Sequence, residues 1–164
     1  MSDLDLTRSP DDRRLYVLDG MGSLHLEGWG SRHATATARE GSWRLARGGL
    51  FKATVEATDL AGAPAGRFEG RSVRRGGTLR WHDRELELRP ASAWRERYAL
   101  VENGTELAVL DGRGWGKRPV KVKLDDAQID PGLLLFAAYV VRGLADDASA
   151  AAGSGAAAAA GASG

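Results

Sequence analysis

Cysteine is missing from the chain altogether, which removes disulfides, thiolate metal sites and cysteine nucleophiles in one step. Histidine is nearly as scarce: His25, His33 and His82 are the only three. Asn103 and Gln128 are the only side-chain amides, and 4 Lys stand against 19 Arg. With the Ala and Gly content, that bias points to a GC-rich bacterial genome rather than to a function. The start, Met1 to Leu6, has neither a basic segment nor an apolar run, so no secretory signal is expected and the expected location is the cytoplasm. Long hydrophobic runs are also lacking. The longest, Leu133 to Val141, has nine residues, against about 20 needed to cross a bilayer, so no transmembrane segment is expected.

That short run is nonetheless the strongest feature present. Asp130 is a good N-cap and Pro131 suits the first helical position, where a missing N–H costs nothing. From Leu133 to Val141 no face is left for water, and a helix apolar all round must be buried. The pattern predicts a core helix over about 131–146, with Leu133, Leu134, Phe136, Ala137, Tyr139 and Val140 as packing residues. Residues 149–164 contain only Ala, Gly and Ser; they offer nothing to pack and are expected to be disordered. Residues 1–10 are expected to be a flexible terminus, leaving 11–148 as one domain.

Before the helix the chain reads as short strands. Ala34 to Ala38 alternates small with β-branched residues, and Val55 and Ala57 oppose Glu56 and Thr58. Asn103-Gly104 is a strong hairpin signal, and Val120 to Leu124 alternates apolar with basic. About ten to twelve antiparallel strands at spacings near ten residues argue for a closed barrel. A sixteen-residue helix is about 24 Å long, and a wall of six or seven residues is about 20–23 Å tall. The helix therefore fits inside the barrel.

Here the sequence resembles the tubby C-terminal-like superfamily, which includes tubby proteins, phospholipid scramblases and LURP-one-related proteins. The likeness covers about residues 11–147. It is carried by Trp81-His82-Asp83-Arg84-Glu85-Leu86-Glu87-Leu88-Arg89, the segment Trp94 to Leu100, Gly114-Trp115-Gly116 and Leu133-Leu134-Leu135-Phe136-Ala137-Ala138. It implies a barrel enclosing a hydrophobic helix and a non-enzymatic module, without a cofactor, that touches anionic phospholipid headgroups at the membrane surface. The Cys-rich and extended Asp-rich calcium segments of eukaryotic scramblases are not in the sequence, so scrambling itself is not implied.

Charge is unevenly spread. Residues 67–123 hold 14 Lys/Arg against 8 Asp/Glu, whereas 124–164 hold 1 against 5, so the middle third is the part that attracts an anion. Gly112-Arg113-Gly114-Trp115-Gly116-Lys117-Arg118 looks superficially like a phosphate loop, but Pro119 and a strand follow where Ser or Thr and a helix are required. What remains is an aromatic among basic residues: Arg113, Trp115, Lys117, Arg118, Lys121 and Lys123. Trp favours the membrane interface, and each cation near an anionic surface is worth about 1 kcal/mol, so these six are the candidate headgroup contacts. Nucleic acid ranks lower, because the chain's pI of about 8.1 falls short of the basic footprint such domains carry. His25 and His33 with Glu27 could form a metal site across a hairpin, but two polar strand residues are the simpler reading, and no catalytic constellation emerges. The alternative to lipid is a protein-interaction or scaffold domain with its partner on the barrel exterior.

Overall fold

The computed structural model describes residues 2–49, 52–71, 75–92, 96–113, 115, 120–125 and 128–161, with 29 and 154–161 described by backbone alone. Twelve strands follow one another: β1 (Ser2–Arg8), β2 (Leu15–Leu18), β3 (Gly22–Glu27), β4 (His33–Ala38), β5 (Gly41–Gly48), β6 (Thr54–Asp59), β7 (Pro64–Gly70), β8 (Gly77–Trp81), β9 (Arg84–Pro90), β10 (Arg97–Glu102), β11 (Thr105–Asp111) and β12 (Val120–Leu124). One helix, α1 (Pro131–Gly161), ends the chain. Each strand pairs antiparallel with its sequence neighbours, and β1 closes the ring by pairing with both β12 and β2. The expected closed antiparallel barrel with an enclosed helix is what forms.

Period-two alternation decides which side chains face inward. Trp43 and Leu45, Leu86 and Leu88, and Val120, Val122 and Leu124 are buried, and so are Ala34 and Ala36. All nine residues from Leu133 to Val141 are at most 2% exposed, so α1 fills the barrel's interior. The outward positions carry charge, much of it paired across strands: Arg67 to Glu56, Arg80 to Glu85, and Lys121 to Asp5, with Glu69 of the same strand also on Arg67. A bilayer-spanning barrel is apolar on its outer face; this wall is charged there. Among the described residues, no helix is long and apolar enough to cross a membrane.

Two boundaries differ from the sequence expectation. Residues 2–8 are a barrel strand rather than a flexible terminus. Leu6 is fully buried beneath Val120 and Leu18 in the register, while Asp3 and Asp5 face Lys123 and Lys121. The helix also continues beyond 146 through the Ala/Gly/Ser segment to Gly161. Elongating an existing helix avoids the costly nucleus that a free Ala tract would have to form, and Ala is the best helix former. Its 31 residues measure about 46 Å at 1.5 Å per residue, so α1 emerges well past the wall.

Candidate functional site

In a sheet of consecutive antiparallel strands, alternate connections fall at opposite ends of the barrel. At the end where α1 enters lie connections 19–21, 39–40, 60–63, 82–83, 103–104 and 125–130. At the end where it exits lie 9–14, 28–32, 49–53, 71–76, 91–96 and 112–119. By sequence, the exit-end connections hold eleven Lys/Arg and three Asp/Glu, whereas the entry-end connections hold one and six. Among the described residues, the exit-end connections place seven Lys/Arg against three Asp/Glu, and the entry-end connections one against five, while α1 brings Asp146 and Asp147 to the exit end. Aromatic residues follow the same division. Trp29, Phe51, Trp94 and Trp115 belong to exit-end connections, and the entry-end connections contain no Phe, Tyr or Trp.

A half-buried cation sits beneath the exit end. The Arg142 guanidinium packs 5.0 Å from the Trp115 ring centroid and 5.9 Å from that of Tyr16, and those two rings are 4.9 Å apart. Arg142 Nη2 donates to Ser31 Oγ at 3.4 Å, and Asp146 lies 3.7 Å from Nε. Nε and Nη1 of Arg142 and Nε1 of Trp115 are buried without a hydrogen-bond partner. One turn earlier, Tyr139 donates to the Ser31 carbonyl at 2.7 Å, which ties α1 to the β3–β4 connection. Burial pushes the Tyr139 hydroxyl up to about 12, against the opposing pull of Arg47 and Arg142.

Beside this cluster, Arg47 on β5 reaches across to the helix. Its Nη2 donates to the Gly143 carbonyl at 3.2 Å and to Asp147 Oδ1 at 2.9 Å. The guanidinium can lie flat there because residue 143 has no side chain: a Cβ would come within 2.7 Å of Arg47 Nε. Arg47, Arg32 and Lys52 line a cleft of about 510 Å³, closed on the helix side by Asp146 and Asp147. Arg32 and Lys52 are exposed, and neither has an ion-pair partner among the described residues.

The sequence-predicted contacts separate on the structure. Arg113 is exposed at the exit end, and Trp115 is half-buried in the Arg142 cluster rather than standing free. Lys121 and Lys123 point outward from β12 beside β1, where Asp5 takes the Lys121 charge at 2.8 Å and Asp3 opposes Lys123 in the register. Lys117 and Arg118 lie outside the described residues, as do Trp94 and Phe51. The predicted core residues of α1 are all buried. Arg32, Arg47, Lys52 and Arg142 were not singled out by sequence as binding residues. They come from two connections, a strand and the helix, and only the closed barrel with α1 inside it brings them together.

His25 and His33 are not cross-strand partners: His33 stands opposite Glu27, and His25 opposite Thr35. His25 Nε2 lies 3.2 Å from Asp12 Oδ2, and Nδ1 lies 3.8 Å from Glu27. Among the described residues no group of three or more His, Cys, Asp or Glu is placed to hold a metal ion. Elsewhere, the Arg84 guanidinium grips Glu102 with two bonds of 2.8 Å and holds its carboxyl below the usual range.

Comparison with protein-family models, curated proteins and solved structures returns no match for this chain.

Proposed function

We propose that this is a non-enzymatic binding module that seats the helix-exit end of its barrel on anionic phospholipid headgroups, as a tubby-like or LURP-one-related protein would. The observation that carries this reading is the coincidence of charge and aromatic character at one end. Eleven cations and four large aromatic residues belong to the exit-end connections, and the opposite end is acidic. Trp and basic residues together favour the interface of an anionic bilayer. Four or five engaged cations would supply on the order of 4–5 kcal/mol, which corresponds to weak, salt-sensitive binding near the millimolar range. The acidic end is repelled by the same surface, so the field also fixes which way the barrel faces. A helix inside a closed barrel is the architecture that the resemblance implies.

Vesicle co-sedimentation tests this. Wild-type protein should pellet with anionic vesicles and not with neutral ones, and the effect should fade between low and physiological salt. Reversing charge at the exit end, in Lys117→Glu, Arg118→Glu or in Arg32→Glu, Lys52→Glu, should abolish pelleting. Absence of binding at low salt, or equal binding to neutral vesicles, would overturn the reading and move the search to a protein partner.

A further inference from the structure

The cleft beside Arg47 is more specific than a charged surface. Three cations converge on it from different segments: Arg32 after the β3–β4 turn, Arg47 at the end of β5, and Lys52 before β6. Its volume of about 510 Å³ falls within the range of small-ligand sites, about 300–1,000 Å³. Only one of the three cations is neutralised. Asp147 bonds to Arg47 Nη2, while Arg47 Nε and Nη1, Arg32 and Lys52 have no ion-pair or hydrogen-bonded carboxylate among the described residues. The Asp147 carboxylate is 58% exposed and comes from the turn of α1 that leaves the barrel. An exposed ion pair of this kind is worth about 0.2–1 kcal/mol, so a stronger anion displaces it readily.

We infer that this cleft is a phosphate-monoester site, with the Asp147 carboxylate as its intramolecular occupant until such a ligand enters. The inference rests on reading the helix-exit end as an anion-facing surface, and it names the site within that surface. A phosphate monoester carries close to two negative charges at neutral pH and three acceptor oxygens. Those match a bidentate guanidinium edge plus two further cations better than one carboxylate does. When the ester binds, Asp147 loses Arg47, and of the two hydrogen bonds from Arg47 to α1 only the one to the Gly143 carbonyl is left. Ligand binding and release of the helix end are therefore coupled.

The test uses the full chain and two sources of the same chemistry at fixed ionic strength. Titration calorimetry with glycerol 3-phosphate should show binding. Arg32→Ala, Lys52→Ala should weaken it about tenfold or more, since hydrogen bonds to charged groups are being removed. Asp147→Ala should tighten it about two- to fivefold, the amount by which an exposed ion pair competes. Vesicles containing phosphatidic acid should be preferred over phosphatidylserine vesicles of equal surface charge. Binding of glycerol 3-phosphate without any vesicle binding would uphold the cleft, make a soluble ester its ligand and remove the membrane reading. Equal binding to both vesicles, unaffected by these substitutions and with no calorimetric signal, would overturn the cleft and leave the membrane reading standing. An Asp147→Ala variant no tighter than wild type would overturn the competing role of Asp147.

Discussion

Asp130 joins the start of the central helix to the barrel wall through Trp81. Its Oδ2 accepts the Trp81 indole N–H at 2.9 Å, while Oδ1 accepts the backbone N–H groups of Gly132 and Leu133 at 2.8 and 3.2 Å. One carboxylate therefore caps α1 and satisfies a fully buried ring on β8. Asp130→Asn keeps an oxygen for the cap but turns an amide towards the indole, so it should cost the about 1–3 kcal/mol of an unpaired buried donor. Asp130→Ala adds the loss of the cap, about 1 kcal/mol more. Denaturant titration of both variants separates the two contributions. Full stability in Asp130→Asn would mean that the indole bond contributes nothing.

The same corner sets a limit on side-chain size. A Cβ at Gly132 would lie 2.6 Å from Trp43 and 2.8 Å from Trp81, both rigid rings packed edge to face with centroids 5.2 Å apart. In an exposed helix Gly→Ala gains about 1 kcal/mol. Here overpacking, at about 1–3 kcal/mol, should outweigh that gain, and Gly132→Ala should lower the denaturation midpoint. A raised midpoint would show that the rings yield.

Phe136 stacks on Trp81 at 5.5 Å and has no exposed surface. Phe136→Asp forces an unpaired carboxylate into the barrel. A loss above about 4–5 kcal/mol is expected, enough to unfold a domain of ordinary stability. Phe136→Leu should cost less than about 1.5 kcal/mol. Near-ultraviolet circular dichroism distinguishes a lost core from a local change. An Asp variant that melts with wild type would contradict the buried position of this ring.

The barrel and its filling were legible because they are written locally, in alternation along each strand and in nine apolar residues at 133–141. The first strand escaped notice although Leu4 and Leu6 alternate with Asp3 and Asp5. Five of its residues, Ser2 to Leu6, pair with β12 more than a hundred residues away, which leaves no turn signal, and only Leu6 to Arg8 pair with the neighbouring β2. Arg142 shows in sequence only as the first charge after the apolar run, whereas its stacking on Trp115 and Tyr16 joins residues from three distant segments. The basic stripe on β12 is visible as sequence, but Asp5, which pairs with Lys121, belongs to β1, whose short alternation carries no local sign of its place in the barrel. The charge at the exit end became visible only when alternate connections could be assigned to one end.

Tyr139 and Tyr98 predict the alkaline limit of the fold. Burial raises both hydroxyls to about 12, with Glu96 adding to the effect at Tyr98. A phenol whose folded value exceeds its unfolded value of about 10 favours folding while it is neutral. That contribution is complete below about pH 10 and is lost as pH rises from 10 towards 12. Tyrosinate absorbance and far-ultraviolet circular dichroism should therefore change together for these two residues, because ionisation requires opening of the barrel. Tyr139→Phe removes the bond to the Ser31 carbonyl, at about 1 kcal/mol near neutrality, and should also make the alkaline loss shallower. Titration of both phenols near pH 10 with the circular dichroism unchanged would show that neither is shielded as the structure places it.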